Sequence, residues 1–529
     1  MNRITGTLRH LAATALLALL AEPVPAIGAE EEMPSGISAG LSFSHDALIA
    51  EAERRARLPA PVPAPLLPAW MRALDYDAYR KITFDRERSF LQPGKFSLQL
   101  FHPGFLFREP VSIAILEDGI VMPIPFDQTL FRYGKDVVPP PEAQSPSGFA
   151  GLRLHYPLNL PGVADELAVF QGASYFRLLG SGQAYGLSAR GLALDVASGK
   201  GEEFPRFSAF WIERPESDAT EIVLHALLES PSVTGAYRFL IEPGDHSIVE
   251  VAATLFFRAP VEKLAIAPLT SMFLMGEMKL RHFDDYRPEV HDSDGLLIHN
   301  GAGEWLWRPL ANPRRLSVNA FTDRGPQGFG LFQRDGDQAH YEDLGAHYHR
   351  RPSYWIEPVG DWGAGHVELV EIPTDSETND NIVAFWVPAD PPTAGARRDY
   401  RWRMTAIDAG ETPHRLARVA ASRSGPAMAV AGKERPAPGA RRFLLDYEGE
   451  AARYLAHRIG AIEPDLSARG GVAKAVSLEK NPETGGLRFV FDALPAPGAT
   501  MDLRVTLRQS GEPVSEVWLF SFGAETIAP

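Results

Sequence analysis

The chain has 529 residues, too many for one ordinary hydrophobic core, so its length predicts two or more domains. It is 45% hydrophobic and 22% charged, a globular composition, and its formal net charge of −15 argues against a nucleic-acid partner, whose phosphates need lysine and arginine. A neutral partner such as a glycan fits better, and the absence of cysteine excludes disulfides and thiolate metal sites.

Residues 1–28 are predicted to be a signal peptide. Arg3 and Arg9 form a short basic start, and Leu11–Ala21 is an apolar segment too short to span a bilayer. The sequence "AIG" before Ala29 is a small-x-small cleavage motif. Twin-arginine export is not favoured, because no adjacent pair of arginines precedes the apolar segment. No later run of 18 apolar residues predicts a membrane span. The sequence therefore predicts an exported protein, periplasmic in a bacterium.

One helix is predicted after this segment. The stretch "SHDALIAEAERRARL", Ser44–Leu58, begins with a capping serine, has an acid in its first turn and ends with arginines. The prolines of the following "PAPVPAPLLPAW" should end the helix and lead into an extended segment.

From about Phe96 onward the pattern predicts short strands separated by glycine, proline and aspartate. "KFSLQLF" alternates like a half-buried strand, "AYRFLIEPGDHSIVEVAATLFFR" has the form of a hairpin around "EPGDH", and "TEIVLHALL" and "NIVAFWVP" predict further strands. Regular βαβ spacing is missing. An all-β fold built of sandwiches is therefore favoured over a doubly wound α/β fold.

The last part of the chain predicts a separate small domain. Residues 411–440 are rich in alanine, glycine, proline and arginine, as a linker would be. Beyond them, "RRFLLDYEG", "GLRFVFDAL", "MDLRVTLRQ" and "VSEVWLFSF" have the rhythm of an immunoglobulin-like sandwich. The expected division is a signal peptide over 1–28, a large β-sandwich over 29–410, a linker over 411–440 and an immunoglobulin-like domain over 441–529.

The window from Tyr286 to Trp386 concentrates aromatic and charged residues, including five of the nine tryptophans. Aromatic rings cover the apolar faces of sugars, and charged groups hydrogen-bond their hydroxyls. The alternative is that the tryptophans fill the core of a large β domain. On the first interpretation the candidate substrate-binding residues are Tyr286, Arg287, His291, Trp305, Trp307, Arg308, Arg351, Trp355 and Trp362.

Carboxylates are the remaining candidates for chemistry. In "HDSDG", Asp292 and Asp294 could belong to a calcium loop, to a plain Asp-Gly turn or to a catalytic group, and Gly295 comes too early for an EF-hand. The "HYH" stretch with His347 and His349 lacks a matched pattern such as HExxH, so no catalytic metal and no cofactor are expected. A nucleophile elbow, a phosphate-binding loop and a dinucleotide fingerprint are all missing.

Many long segments resemble one known family in the same order. They include "FHPGFLF", "GASYFRLLGSGQAYGLSARGLALD", "GEEFPRFSAFWIERP", "YRPEVHDSDGL", "GEWLWRPL", "PQGFGLFQRD" and "VELVEIPTDSETNDNIVAFW". The chain resembles the periplasmic glucan biosynthesis proteins of the G and D types from about Leu74 to the last strand. The match is weakest over Ala409–Ala440 and in the C-terminal domain.

This resemblance implies a carbohydrate-acting β-sandwich joined to an immunoglobulin-like domain, and a role in making osmoregulated glucans with a β-1,2-linked backbone. Members of the D type look like hydrolases that cleave β-1,2-glucan with inversion. The resemblance places the general acid on Asp380 and the general base on Asp292, with Glu377 as a nearby helper or a substrate contact. Inverting enzymes hold two such carboxyls about 6.5–9.5 Å apart. Glu377 could also raise the pKa of Asp380 as a like-charged neighbour.

Three functions stay open at this stage: a β-1,2-glucanase, a transglycosylase on the same glucan, and a non-catalytic glucan-binding factor. The sequence does not separate the G type from the D type. It also leaves the oligomeric state open, with a homodimer as one alternative.

Overall fold

The computed structural model describes residues 37–523 except 38, 61–66, 138, 140–145, 147 and 430–434. The predicted signal peptide, residues 1–28, lies outside these described residues. Within them, no helix has the length and apolar character needed to cross a membrane.

Helices are few and short in the described part of the chain. The α-helices are α1 (His45–Ala56), α2 (Ala69–Arg72), α3 (Tyr76–Tyr79) and α4 (Glu450–Ala456). Single 3₁₀ turns occur at Arg86–Arg88, Gln128–Leu130, Gln338–His340, Tyr348–Arg350 and Ile459–Ala461. The predicted helix is confirmed as α1: the Ser44 hydroxyl accepts a hydrogen bond from the Ala47 amide at 3.1 Å.

Strands make up most of the rest, which confirms the all-β prediction. The first group is β1 (Thr83–Phe84), β2 (Ser97–Phe101), β3 (Ser112–Glu117), β4 (Ile120–Pro123), β5 (Phe131–Arg132), β6 (Gly151–Tyr156), β7 (Asp165–Gln171), β8 (Tyr175–Leu178), β9 (Ser188–Arg190), β10 (Leu192–Leu194), β11 (Arg206–Glu213), β12 (Ile222–Glu229), β13 (Val233–Glu242), β14 (Ile248–Phe257), β15 (Leu264–Ser271) and β16 (Phe273–Met275).

The second group continues through the window rich in tryptophan to the end of the described residues. It comprises β17 (Val290–His291), β18 (Gly295–His299), β19 (Trp305–Pro309), β20 (Ser317–Arg324), β21 (Gly328–Phe332), β22 (Ser353–Pro358), β23 (Ala364–Glu371), β24 (Ile382–Pro388), β25 (Arg397–Ile407), β26 (Arg418–Pro426), β27 (Arg441–Glu448), β28 (Ile462–Arg469), β29 (Gly471–Lys480), β30 (Leu487–Pro495), β31 (Thr500–Gln509), β32 (Glu512–Pro513) and β33 (Val517–Gly523).

Two large sheets form the first sandwich. One has ten strands in the order β2-β6-β7-β8-β9-β15-β24-β23-β20, with β10 paired to β15. The other has fifteen strands in the order β28-β31-β33-β19-β18-β21-β22-β25-β14-β13-β12-β11-β3-β4, with β32 paired to β31. Side chains from both sheets, such as Leu152, Phe210 and Trp386, share one core. Two aligned sheets burying one core are a β-sandwich.

Several strand predictions are confirmed, and one is wrong in detail. The predicted hairpin is β13 and β14, paired from Val233 opposite Phe257 to Glu242 opposite Ile248. The stretch predicted as half-buried, β2, is buried on both faces. Its outer side is covered by the segment before it, where Phe90 bridges Leu98 and the Gln99 amide donates to the Ser89 hydroxyl at 3.2 Å.

A second, smaller sandwich occupies the C-terminal part. Its own sheet has the order β26-β27-β30-β29, and its other sheet is the β28-β31-β33 end of the fifteen-stranded sheet. That end is joined to the first sandwich by parallel pairing of β33 with β19, with Val517 opposite Leu306 and Trp518 opposite Trp307. The stretch 411–440, predicted as a linker, contains β26, which is hydrogen-bonded along its length to β27.

Candidate functional site

A cleft of about 710 Å³ opens beside the ten-stranded sheet, along β6, β7 and β8. This volume is within the range of small-molecule and oligosaccharide sites. Aromatic, apolar and charged side chains line it together, and the carboxyl of Asp380 is among them. Its lining includes the side chains of Leu106, Phe107, Arg153, Glu166, Tyr175, Arg177, Tyr185 and Asp380.

Asp380 lies on the short connection between β23 and β24, and buried amides hold this connection in place. The Asn381 side chain accepts a hydrogen bond from the Phe273 amide at 2.8 Å and donates to the Phe273 and Ile372 carbonyls, each at 3.0 Å. The buried Asn312 amide donates to the Thr374 carbonyl at 2.8 Å. The loop that carries Asp380 is therefore anchored at both ends.

The pKa of Asp380 is raised above its usual range. Its side chain remains accessible to solvent, but the cleft walls crowd it, and this partial desolvation outweighs the opposing charges of Arg177 and Arg351. Burial raises the pKa of the Tyr175 phenol, and the charge of Asp380 raises it further. A carboxyl with a raised pKa is suited to donate a proton.

Asp292 follows β17, and its amide donates to the Met272 carbonyl at 2.8 Å. Its carboxyl is buried and forms an ion pair with Arg351. Burial raises the pKa of Asp292, and the charge of Asp380 raises it further, whereas Arg351 and Arg177 lower it. Asp292 and Asp380 therefore lie within electrostatic reach of each other and of the same two guanidinium groups.

Arg351 has a close neighbour that constrains its position. Its guanidinium lies over the Tyr348 ring, 4.2 Å from the ring centre, and donates to the Ala346 carbonyl at 2.9 Å. A Cβ atom at Gly186 would lie 2.8 Å from the Arg351 Cβ atom, so glycine leaves the space that this stem occupies.

Glu377 lies at the edge of this group with partners of its own. It pairs with Arg287 at 2.7 Å and accepts a hydrogen bond from the Tyr348 hydroxyl at 3.0 Å. Arg287 is also paired with Asp285 at 2.8 Å and Asp343 at 3.0 Å. The causes that raise the pKa of Asp380 do not include Glu377, so crowding by the cleft replaces the like-charged neighbour that we expected.

His291 is fully buried behind this turn and lies between two carboxylates. Its Nε2 atom is 3.0 Å from Glu289 and 3.4 Å from Asp294. Burial alone would lower the pKa of His291, but these carboxylates raise it to about 9. Their ligand atoms are close enough together to hold a metal, as are those of His246, Asp408 and Glu411. In both groups the contacts are also those of ordinary ion pairs.

The structure does not bring three of the predicted substrate-binding tryptophans to the cleft. Trp307 and Trp355 are buried among side chains of the C-terminal sandwich, such as Phe443 and Trp518. Trp362 is buried in the core between the two large sheets, against Trp386 and Trp402. Core packing, the alternative considered for these residues, accounts for their positions.

The lining of the cleft also does not include the predicted binding residues Trp305, Arg308 and Tyr286. Trp305 is half-buried and stacks on His299 with ring centres 4.1 Å apart. Arg308 is buried and pairs with Glu371 at 3.0 Å. Tyr286 is 76% exposed, with the Arg287 guanidinium 5.9 Å from its ring centre, so it remains available to a ligand.

Several cleft residues were missed because their segment was used for the family resemblance and was not searched for binding residues. "GASYF" and "GLSAR" contribute Tyr175 and Ser188, and the residues between them contribute Arg177 and Tyr185. The Arg177 Nε donates to the Ser188 hydroxyl at 2.8 Å. A signal existed in the sequence: Arg177 and Tyr175 alternate with apolar residues on β8, which places them on one face.

Comparisons with known proteins identify one family. The family model described as "Periplasmic glucan biosynthesis protein, MdoG" matches residues 43–522. A Shewanella baltica protein named glucans biosynthesis protein G is 46% identical over 481 residues, which cover 90% of this chain and 87% of that protein. The Shewanella frigidimarina protein of the same name is 44% identical over 481 residues, covering 90% and 84%.

Among solved structures, a polysaccharide lyase aligns with 70% of this chain and 44% of its own, at 12% identity and a TM-score of 0.20.

Proposed function

The chain belongs to the periplasmic glucan biosynthesis family MdoG, and from this membership and the geometry of the cleft we propose that it cleaves β-1,2-glucan. In this proposal Asp380 is the general acid and Asp292 the general base of an inverting glycoside hydrolase. The observation that carries it is electrostatic: Asp380 at the cleft and the buried Asp292 both have raised pKa values, and both feel the charges of Arg177 and Arg351.

The proposed reaction uses each carboxyl once. Asp380 gives its proton to the glycosidic oxygen as the bond between that oxygen and the anomeric carbon breaks. A water oxygen bonds to the anomeric carbon from the other face, and the proton it loses goes to Asp292, directly or through a relay. Arg177 and Arg351 limit the rise in both pKa values.

The walls of the cleft supply the contacts that a glucan needs. Phe107, Tyr175 and Tyr185 offer ring faces for the apolar sides of glucose units. Arg153 and Glu166 form an ion pair at 2.5 Å beside them, and their free hydrogen-bonding positions face sugar hydroxyls in this proposal.

The decisive experiment follows reducing ends and chain length when the protein is incubated with linear β-1,2-glucan. Asp380→Asn should lower kcat by roughly 10²- to 10⁴-fold, the usual contribution of general acid catalysis, without lowering the melting temperature. Asp375→Asn is the matched control because Asp375 lies in the same loop, 87% exposed, and pairs with Arg281. Full activity of Asp380→Asn would eliminate the assignment of the acid.

A second candidate function is binding of the glucan without cleavage. The buried ion pair between Arg351 and Asp292 favours it, because the carboxylate oxygen that binds the guanidinium is not free to accept a proton from water. In that case the glucan would be retained by the protein on a gel while no reducing ends appear. Altered chains without new reducing ends would instead indicate transglycosylation.

We also propose that the protein is exported to the periplasm and that its signal peptide is cleaved after residue 28. The basic and apolar start of the sequence and the family name support this location. Sequencing the N-terminus of the mature protein checks it, and the expected first residue is Ala29.

A further inference from the structure

The turn that carries Asp292 is held from behind by the end of β21, and that end is held in turn by the second sandwich. Asp294, two residues after Asp292, accepts hydrogen bonds through one carboxylate oxygen from the Arg334 amide at 2.5 Å and the Asp335 amide at 2.9 Å. Its own amide donates to the Phe332 carbonyl at 2.7 Å. The turn is thus tied to the end of β21.

Arg334 is in turn held by a residue of the C-terminal part. Its guanidinium pairs with Glu516, immediately before β33, through two hydrogen bonds, one of them 2.8 Å long. Both side chains are almost fully buried, with 1% and 0% exposure. The same guanidinium donates to the Val419 carbonyl of β26 at 2.6 Å and lies 3.4 Å from the centre of the Trp307 ring.

Glu516 is fully satisfied in this position. It accepts a hydrogen bond from the Val419 amide at 2.8 Å, and its other oxygen is 2.7 Å from His414 Nε2. A buried carboxylate with this many partners has one geometry, because any displacement would leave a charge unpaired in the interior. The position of Arg334, and with it that of the adjoining backbone amides, is therefore set from the second sandwich.

We propose that Glu516 is a positioning residue for Asp292: through Arg334 and Asp294, the second sandwich holds the turn that presents the proposed base. The inference rests on the proposed function for its kinetic part only. It gives the C-terminal part, for which the sequence predicted only a fold, a role in the reaction.

The test uses the full mature protein and the variant Glu516→Gln, which keeps the shape of the side chain and removes its charge. Displacing a reacting group by about 1 Å can cost 10²-fold in rate, so kcat on β-1,2-glucan should fall by roughly 10- to 100-fold. KM should change by less than about twofold, because the cleft walls that bind the glucan do not contact Glu516.

A second readout does not need activity. Amide hydrogen exchange over residues 290–296 should be faster in Glu516→Gln, since these amides report the hydrogen bonds of the turn. The matched control is Asp492→Asn, which breaks the ion pair of Asp492 with Arg442 in the same sandwich, 2.7 Å long and remote from Arg334. It should change neither kcat nor exchange in the turn.

The outcomes separate the two proposals. If the unaltered protein does not cleave glucan, the proposed function fails, and the exchange measurement still decides the positioning role. Unchanged exchange in the turn, or a loss of kcat no larger than in Asp492→Asn, would overturn the inference. Should Glu516→Gln fail to fold, Arg334→Lys replaces it, because lysine keeps the charge but not the two-pronged contact.

Discussion

The cleft and the junction of the two sandwiches both bring aromatic rings together with charges, yet they differ in what the charges do. At the junction, defined here by β19, β33, Arg334 and Glu516, each buried charge has an opposite partner at short distance. In the cleft, Asp380 faces open space. Composition does not separate a closed contact between domains from a binding site, because both are rich in aromatic residues and arginine.

The direction of the pKa shift distinguishes Glu516 at the junction from the two candidate catalytic carboxyls. Burial would raise the pKa of Glu516, but Arg334 and His414 lower it to about 2, as expected of a structural ion pair. The pKa values of Asp380 and Asp292 are raised despite two arginines nearby. The raised values of Asp380 and Asp292 suit groups that transfer protons, and the lowered value of Glu516 suits a group that stabilises the fold.

The largest effect that sharpens this comparison is the loss of Trp355, whose ring stacks on Trp305 of the junction strand β19 with ring centres 5.5 Å apart. Trp355→Ala should lower the free energy of unfolding by about 3–5 kcal/mol, because its ring is buried against Phe332 and leaves a cavity. The folded fraction should bind β-1,2-glucan normally. Phe107→Ala in the cleft should do the reverse, weakening glucan binding roughly tenfold with little loss of stability. Urea denaturation and isothermal calorimetry measure the two quantities.

A smaller effect concerns the free energy of unfolding at acidic pH. A carboxylate whose folded pKa is lowered contributes stability above its unfolded pKa of 4.5 and loses that contribution as pH falls towards 2. The shift at Glu516 corresponds to about 3 kcal/mol. The difference in unfolding free energy between the unaltered protein and Glu516→Gln should therefore shrink from pH 6 to pH 3. A difference independent of pH would contradict the lowered pKa.

Asp380 should show the opposite sign. Its raised folded pKa costs stability at neutral pH, and this cost disappears as pH falls below 3.8. Asp380→Asn should accordingly be at least as stable as the unaltered protein at pH 7. The same denaturation series measures it.

The smallest effect tests the space around Arg351. In Gly186→Ala the new Cβ atom would press on the Arg351 stem and shift its contact with Asp292, so kcat should fall roughly tenfold with little change in melting temperature. Gly199→Ala is the control, since no atom lies within 4 Å of a Cβ there. Equal kcat in both variants would show that the position of Arg351 does not matter for turnover.

Much of the fold could be predicted because local pattern and burial agree. The cap at Ser44, the hairpin of β13 and β14 and the run that became β24 each have the expected period and turn residues. β28 and β29 were not predicted. Their sides are mostly exposed, as in "EPDLSAR", so no apolar alternation marks them.

The candidate site was predictable only in part. Asp380 and Asp292 came from the family resemblance, and the predicted strand "NIVAFWVP" is β24, which begins at Ile382, just after Asp380. Arg177 and the cleft rings come from a part of the chain about two hundred residues earlier, and only strand order brings β8 and β24 into one sheet. The division of the chain into domains at residues 411–440 stays a prediction.

The pairing of β33 with β19 has a consequence for how the molecule is made. The strand near the end of the chain takes a place inside a sheet whose other members were synthesised long before it. Chains are made from the N-terminus, and domains fold as they emerge. Here the edge of β19 stays unpaired until the last strand arrives. We therefore expect the large sandwich to stay incompletely folded until β33 has been synthesised. A nascent chain halted before β33 should expose the edge of β19 to pairing with other strands.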